Sequence, residues 1–372
     1  MRNTEKSEYV TWVKRSLTNN KKMLGLIFLF ALATCRCNRS PVASVPTVPN
    51  YAIVYIGTNQ RMYAMDADGG NKRQIDTIDA QFPTSSPSGD KIAIYTQFNN
   101  PPGDVYLASF DNHSGAHKKL CSIRSSNGST LFALSWSGDG IWLTSTKPST
   151  QSGEYDVWKV DTSGTQLQQL TTNGVNENPV FSPDGNTISY TFGSGTNYVG
   201  YIMNSDGSNK RPIPYLPPGQ AFNLQWSPDG NLVSFDGIHD SSGGSQSYSD
   251  VYVADVQGKN VRRITTDLQS HGAMWSHDGN KLAYRTGPAG HFDVCVINLD
   301  GTSQRQLTNS GKCLVADLEW SPDGKKIAYG YFISISAYTI HVVDVESGTD
   351  IDTGAQPWSY RFAWAPAVGK FK

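Results

Sequence analysis

The sequence lacks an excess of charge of either sign. Its 372 residues contain 31 Lys and Arg against 32 Asp and Glu, which gives a net charge of -1. A protein that grips nucleic-acid phosphates needs a basic face, so this balance argues against nucleic acid as a partner. Only 17% of the residues are charged and 38% are hydrophobic, a composition that argues against a disordered chain.

Long hydrophobic runs are also scarce, and the clearest is the twelve-residue stretch from Met23 to Thr34. As a helix it would span about 18 Å, whereas the hydrocarbon core of a bilayer is about 30 Å thick. The 22 residues before it carry six Lys and Arg against two Glu. A basic stretch followed by a short apolar core is typical of a secretory signal, so residues 1–34 are predicted to be a signal peptide.

Two cleavage sites compete at the end of this segment. Ala31-Leu32-Ala33 has the small-x-small pattern of ordinary signal peptidase, which would release a free protein. Leu32-Ala33-Thr34-Cys35 resembles a bacterial lipobox, although Thr34 departs from the usual small residue. We favour lipidation at Cys35, which predicts a periplasmic or outer-membrane-associated lipoprotein, over free secretion or an uncleaved anchor. The Pro- and Val-rich residues 35–50 are then an extended tether.

Cysteine is rare, with five in the chain. Two of them, Cys35 and Cys37, lie at the processing site, and no CxxC pair or Cys/His cluster has the spacing of a zinc site. In an oxidising compartment Cys295 and Cys313 could form a disulfide. Alternatively, Cys295 is a small buried apolar residue within a strand.

What the sequence has is one unit repeated along residues 51–366. Each copy contains an aromatic residue, a tight turn and an alternating apolar strand, as in LQWSPDGNLVSFDG and LEWSPDGKKIAYGY. The unit recurs every 44 to 51 residues, a period typical of propeller blades. The repeated aromatic position is occupied by Trp136, Phe181, Trp226, Trp275, Trp320 and Trp364, and by Ser85 in one copy. Because this position is shared, we expect these side chains to pack between adjacent blades and not to stack on a ligand.

A third strand that begins with Asp-Val and a short fourth strand follow in most units, so each unit predicts one four-stranded antiparallel blade. Residues 51–58 match a second strand, and residues 361–366 match a first strand with nothing after it. The two fragments complete one blade and remove the open edges of the ring. The prediction is an all-β, seven-bladed propeller over residues 51–372, or six blades if residues 82–131 form an elaborated loop.

The Ser-Pro-Asp-Gly turns and the hairpin DADGGNKR at residues 66–73 resemble the WD40-like repeats of the TolB family of periplasmic propellers. The resemblance covers residues 51–366. It implies a bacterial-envelope protein that binds other proteins and is not an enzyme. Members of that family carry an α/β domain before the propeller, and we expect this chain to lack it, because only about fifteen residues separate the signal from the first strand.

Similar repeats occur in oligogalacturonate lyases and in the propellers of prolyl-oligopeptidase-type peptidases. The peptidase alternative requires a hydrolase domain and a GxSxG motif, which the sequence does not contain. A polysaccharide lyase with a metal at the channel mouth stays open as the alternative function. Of the seven histidines, only His271 is expected to face the central opening, so no metal or other cofactor is predicted. A third hypothesis is a surface propeller without a fixed partner.

Propeller binding sites gather where the loops of all blades converge on one axis. We call this the channel mouth and define it by the residues just before each first strand. Mixed polar, aromatic and charged groups there predict docking of an envelope protein or peptide. The predicted binding residues are Gln81, Phe82, Glu177, Asn178, Phe222, Asn223, His271, Asp317, Tyr360 and Arg361.

Overall fold

A computed structural model describes most of residues 51–366. The described ranges are 51–96, 103–109, 117–122, 134–149, 155–194, 197–213, 220–238, 249–288, 291–309, 313–334 and 337–366. These residues form seven antiparallel sheets of four strands each, and none of them is in a helix. No segment of this part of the chain is therefore a helix able to cross a membrane. The predicted signal peptide, tether and lipidation site Cys35 lie outside the described residues.

Six of the blades are continuous in sequence and one is split between the two ends of the chain. Blade 1 contains β1 (Tyr51–Gly57), β2 (Met62–Asp66) and β3 (Arg73–Asp76), and blade 2 contains β4 (Gln81–Ser85), β5 (Lys91–Thr96), β6 (Asp104–Ser109) and β7 (His117–Ser122). Blade 3 contains β8 (Ser135–Trp136), β9 (Trp142–Pro148), β10 (Tyr155–Asp161) and β11 (Leu167–Gln169), and blade 4 contains β12 (Asn176–Phe181), β13 (Thr187–Ser194), β14 (Asn197–Asn204) and β15 (Arg211–Pro212). Blade 5 contains β16 (Gln220–Trp226), β17 (Leu232–Ile238), β18 (Ser249–Asp255) and β19 (Arg262–Arg263), and blade 6 contains β20 (Ser270–Trp275), β21 (Lys281–Thr286), β22 (Asp293–Asn298) and β23 (Arg305–Gln306). Blade 7 contains β24 (Cys313–Trp320), β25 (Lys326–Ser334), β26 (Ala337–Asp344) and β27 (Asp350–Asp352), and β28 (Pro357–Pro366) completes blade 1.

The split blade closes the ring as the repeat count predicts. Strand β28 pairs antiparallel with β1, with Tyr51 opposite Pro366 and Ile53 opposite Trp364. The seven-bladed prediction is confirmed. The six-bladed alternative is wrong, because the irregular unit at residues 82–131 supplies the strands of a regular blade, β4 to β7.

The core lies between blades, and in five of the seven blades the repeated tryptophan links the blade to the one before it. Each of five indole N–H groups donates to a backbone carbonyl on the first strand of the preceding blade, at 3.1–3.2 Å. The pairs are Trp136 to Thr84, Trp226 to Val180, Trp275 to Gln225, Trp320 to Met274, and Trp364 to Glu319. The indole packs between blades as expected, and its N–H also fixes the register of neighbouring first strands.

The tight turns of the repeat carry a hydrogen-bond pattern that explains their sequence. In the turn at Ser182 the hydroxyl donates to Asp184 Oδ1 at 2.5 Å and accepts from the Thr187 N–H at 2.9 Å. Gly185 follows with a φ of 73°, the left-handed conformation predicted for this glycine. The aspartate is therefore used within its own turn.

The aspartate that begins the third strand anchors the loop leading into the next blade. Asp156 Oδ1 accepts from Thr171 Oγ1 at 3.1 Å, from the Gly174 N–H at 2.9 Å and from Asn176 Nδ2 at 3.3 Å. Asp250 accepts from Thr265 Oγ1 at 2.8 Å in the same way. Because Asn176 directly precedes Glu177, this buried carboxylate helps to place the channel mouth.

Two cysteines of the propeller body are free thiols. Cys121 and Cys295 are both buried, and burial raises the pKa of each thiol to about 12. Cys295 packs in the apolar cluster between blades 5 and 6, so its buried-residue interpretation holds and the disulfide alternative does not. The side chain of Cys313 lies outside the described part of the chain.

Candidate binding surface at the channel mouth

The predicted mouth residues fall on a β-bulge that recurs at the start of the first strands. The pairing of β4 with β5, β12 with β13, β16 with β17 and β20 with β21 shifts register there. At each of these sites the last regularly paired residue is Gln81, Glu177, Phe222 or His271, and the bulge begins with the next residue, Phe82, Asn178, Asn223 or Gly272. A bulge places two residues of one strand opposite one of its partner and re-aims their side chains.

The first residue of each bulge, directly after the last regularly paired one, has a left-handed backbone. Its φ is 51° at Phe82, 51° at Asn178, 54° at Asn223 and 67° at Gly272. Asparagine and glycine adopt this conformation readily, whereas phenylalanine does so rarely. The strained backbone at Phe82 marks this position as one whose geometry the surrounding fold imposes.

Phe82 and Arg361 meet at the joint between blades 1 and 2. The guanidinium carbon of Arg361 lies 4.9 Å from the centre of the Phe82 ring, within the range of a cation–π contact. Both side chains are half-buried, and Gln81 beside them is buried opposite Tyr95. Ser85, the one small residue at the repeated aromatic position, belongs to the same blade as Phe82.

In blade 4 the mouth presents an unsatisfied amide. The Nδ2 atom of Asn178 is buried and has no hydrogen-bond partner among the described residues. Glu177, the other bulge residue, is half-buried opposite Thr191, whose Oγ1 also has no partner in the described structure. The Asn178 amide nitrogen can donate a hydrogen bond to a ligand, and the Thr191 hydroxyl can donate or accept one, without first giving up a partner.

In blade 5 the two bulge residues differ in how far they are engaged. The ring of Phe222 lies 4.9 Å from that of Tyr198, centre to centre, and is half-buried. Asn223 is only 2% exposed, and its Oδ1 accepts from Gln225 Nε2 at 3.1 Å. Phe222 thus forms part of the surface, whereas Asn223 belongs to the layer beneath it.

In blade 6 the imidazole of His271 is half-buried and packs edge-on against Phe292, with ring centres 4.4 Å apart. Burial of the ring and then the positive charge of Arg285, its cross-strand neighbour, lower the pKa of His271 to about 3. The imidazole is therefore neutral near pH 7. Asp317 in β24 and Tyr360 in β28 complete the predicted set, but their side chains lie outside the described structure.

The prediction missed a buried charged pair under the mouth, Asp236 in β17 and Arg285 in β21. Asp236 is 6% exposed and Arg285 is 2% exposed. The Asp236 carboxylate accepts the Gly272 N–H from the neighbouring blade at 2.9 Å and 3.0 Å. Burial raises the pKa of Asp236 to about 7, although the Gly272 hydrogen bond, Arg285 and Asn223 act in the opposite direction.

A signal for this pair exists in the repeats. The second strands LVSFDG and KLAYRT carry a charged residue where blade 2 has Tyr95 and blade 4 has Thr191, each of them opposite a bulge. Comparing the repeats position by position along the second strand would have revealed it, because a charge at a buried strand position is rare.

The described residues do not supply a set of ligands for a divalent metal ion. Among the described residues no three His, Cys, Asp or Glu side chains come together as ligands for a metal ion. The turn aspartates are used locally, as in Asp206, whose Oδ1 accepts the Ser208 N–H at 2.8 Å. The described mouth residues therefore offer rings, amides and charged groups for contact with a partner, and they do not form a metal site.

Comparisons with known proteins agree with this architecture. The family model of the TolB beta propeller domain matches residues 50–243 and 173–314. The chain is 25% identical over 285 residues to the Tol-Pal system protein TolB of Francisella tularensis subsp. mediasiatica, an alignment that covers 61% of this chain and 63% of the relative. The chain thus matches less than two thirds of the length of that relative.

Two solved structures show the same fold. A putative TolB from Agrobacterium tumefaciens is 19% identical, with a TM-score of 0.54, and the match covers 77% of this chain and all of that one. An oligogalacturonate lyase in complex with manganese is 14% identical, with a TM-score of 0.58, and covers 76% of this chain and 87% of its own. At these identities the two structures support the fold and not a shared activity.

Proposed function

Because this chain belongs to the TolB beta propeller domain family, we propose that it is an exported, lipid-anchored scaffold that binds an envelope protein or peptide at its channel mouth. A TolB-like propeller fits a role in protein interaction in the bacterial envelope. We further propose a lipid anchor at Cys35, a periplasmic or outer-membrane-associated location, and the mouth as the docking surface.

The single observation that carries the docking proposal is the repeated bulge at the start of the first strands. It recurs in four blades of a ring closed by strand pairing, directly after Gln81, Glu177, Phe222 and His271, which supports a binding surface built from several blades. Half-buried rings at Phe82 and Phe222 and the guanidinium of Arg361 are the residue types that dominate protein interfaces. A rigid scaffold limits the entropy that docking would cost.

The location proposal rests on residues 1–50. The basic segment, the short apolar run from Met23 to Thr34 and the lipobox-like Leu32–Cys35 together favour export with a lipid on Cys35. The following residues 36–50 would then tether the propeller to a membrane surface. This arrangement would place the propeller where envelope proteins can reach its mouth.

We propose binding without catalysis and without a cofactor. The described mouth brings together a neutral imidazole, amides, rings and a guanidinium, which suit recognition of a polypeptide surface. The manganese of the oligogalacturonate lyase belongs to that protein. None of the described mouth residues gives a specific reason to propose uronide cleavage as a second function.

The test is affinity capture of the tagged mature protein from crosslinked envelopes, followed by mass spectrometry. A mouth variant would carry Glu177→Ala, His271→Ala and Arg361→Ala. A control variant would carry Glu346→Ala, Gln257→Ala and Lys325→Ala, an acidic, a neutral and a basic side chain exposed on turns at the opposite end of the propeller.

We expect one envelope protein to be enriched by wild type and by the control variant, and to be lost with the mouth variant. Enrichment that survives the mouth variant would move the binding surface elsewhere. If wild type enriches nothing above background, the scaffold proposal fails, and metal content and uronide cleavage become the next assays.

A further inference from the structure

Two buried charged residues, Asp236 and Arg285, lie under the channel mouth where blades 5 and 6 meet. Asp236 comes from the second strand of blade 5, and Arg285 comes from the second strand of blade 6. Each lies opposite a bulge residue of its own blade, Asp236 opposite Phe222 and Arg285 opposite His271. Both are almost completely buried, a state that is costly for charged groups and is tolerated only when they are well paired.

The two charges meet at one backbone position, Gly272. From blade 5, both carboxylate oxygens of Asp236 accept the Gly272 N–H. From blade 6, the guanidinium of Arg285 lies where a side chain at Gly272 would stand, because a Cβ built there overlaps it. Glycine adopts the φ of 67° at this position readily, and a Cβ there would force the Arg285 guanidinium to move.

Blade 4 shows what the same position looks like without a charge. Thr191 takes the place of Asp236 opposite the bulge, and its hydroxyl has no hydrogen-bond partner among the described residues. The seven-bladed fold does not require a charge at this position. Since buried charges can often be replaced by apolar groups without loss of stability, a role other than stability is the better account of Asp236 and Arg285.

We infer that Asp236 and Arg285 are positioning residues of the channel mouth, which hold the His271–Gly272 bulge so that His271 faces an incoming polypeptide in one orientation. This inference rests on the proposed docking function. The pair acts through Gly272: a shift of that backbone moves the His271 ring away from Phe292 and changes the surface that a partner meets.

Several charged or titratable groups lie near Asp236. Arg285 faces it from blade 6, and His271 beside Gly272 is neutral. Asp267, near His271, is held by hydrogen bonds from Ser270 and Thr286 that help to lower its pKa. On the adjacent strand β18, the neighbouring carboxylate is Asp250.

Asp250 lies opposite Gly237 and is bound by Arg263 and Thr265. Burial raises the pKa of Asp236 to about 7, so this carboxylate takes up a proton near neutral pH. Protonation removes the negative charge that accepts the Gly272 N–H and weakens the hold on that backbone position. Binding at the mouth should therefore weaken as the pH falls from 8 to 6.

The first measurement needs no partner. In the mature propeller, the backbone amide resonances of His271 and Gly272 are followed by NMR from pH 5.5 to 8.5. We expect both to titrate with a midpoint near 7 in wild type and to lose that titration in Asp236→Asn. An unchanged titration in Asp236→Asn, or none in wild type, would overturn the inference.

The second measurement is the Kd of the partner captured at the mouth, at pH 8 and pH 6. Wild type should bind roughly tenfold more weakly at pH 6, whereas Asp236→Asn should bind roughly tenfold more weakly at both values. Asp229→Asn is the matched control, because it makes the same change in blade 5 at an exposed turn residue far from the mouth, and it should bind as wild type does.

If Asp236→Asn fails to fold, the double variant Asp236→Asn with Arg285→Gln removes both buried charges and keeps the shapes of the side chains. It should fold and show the same loss of affinity and of pH dependence. Native affinity in a folded double variant would overturn the inference. If wild type binds no partner at all, the docking proposal fails, and the NMR titration still decides the role of the pair.

Discussion

The hydrogen bond from each repeated tryptophan to the preceding blade is a single-residue feature that can be tested directly. Trp320→Phe removes the N–H that binds the Met274 carbonyl and leaves a ring at the position where blade 4 naturally has Phe181. We expect the free energy of unfolding to fall by about 1–3 kcal/mol in urea titrations, because a buried carbonyl loses a donor.

The control for this experiment is Trp142→Phe. It deletes the same atoms from a half-buried indole whose N–H makes no hydrogen bond within the described structure. Its cost should be clearly smaller. Equal losses of stability in the two variants would mean that ring volume, and not the inter-blade hydrogen bond, determines the effect.

Asp236 predicts a pH dependence of stability opposite in sign to that of an ordinary surface carboxylate. Its folded-state pKa of about 7 lies above the ordinary value of 3.8, so the folded protein holds this proton more tightly than the unfolded chain does. The stabilisation is present below the ordinary pKa and is lost as the pH rises through about 7.

Thermal or urea unfolding of wild type and Asp236→Asn at pH 5 and pH 8 tests this sign. Wild type should gain about 2–3 kcal/mol relative to the variant on going from pH 8 to pH 5. The difference between the two proteins isolates Asp236 from the other titrating groups. A difference that does not change with pH would show that this carboxyl does not titrate in the range.

The mouth positions could be predicted from the sequence, but their geometry could not. Counting residues back from each repeated aromatic places Glu177 and His271 just before the first strands, whereas each is the second residue of its strand, β12 or β20. The bulge itself, and the burial of Asn223, depend on contacts with the neighbouring blade that a single repeat does not contain. The Asp236–Arg285 pair was missed for the same reason, since its two members come from different blades.

Among the strands, β28 has the largest structural role because it alone connects the two ends of the described chain. It pairs with β1 along its length and places Trp364 against the Glu319 carbonyl of blade 7. Deleting residues 357–372 should expose the edge of β1 and abolish the single cooperative unfolding transition. Circular dichroism during urea unfolding and the elution volume on gel filtration measure both effects.

Adding the missing strand in trans provides the control. A synthetic peptide of residues 357–366 should restore the cooperative transition of the truncated protein, whereas the same peptide with Trp364→Ala should restore it less well. A truncated protein that unfolds as wild type does would show that closure through β28 is dispensable.

The closure was predictable at the level of strands because the sequence divides one repeat between its two ends. Residues 51–58 and 361–366 each match a different part of the same unit, and only one pairing joins them. The number of blades followed from the same count. The loosest unit, at residues 82–131, was harder to assign because it lacks the repeated tryptophan, yet β4 to β7 form a regular blade.

For the molecule as a whole, the proposed lipid anchor makes a separable prediction. Cys35→Ala should move the protein from the membrane fraction to the soluble envelope fraction, because the lipidated residue is lost. Cys37→Ala is the matched control and should stay with the membrane. Fractionation with mass spectrometry of the mature N-terminus gives the answer, and unchanged membrane retention of Cys35→Ala would refute the anchor.

The pairing of β1 with β28 also determines when the propeller can close during its synthesis. The strand β1 near the start of the propeller pairs with one made more than three hundred residues later, so the growing chain cannot close its ring until β28 has been made. Partly made or clipped copies never acquire the sealed ring and keep an exposed edge that proteases and chaperones recognise. Closure therefore requires the last strand, β28, and we expect only a full-length propeller to resist degradation.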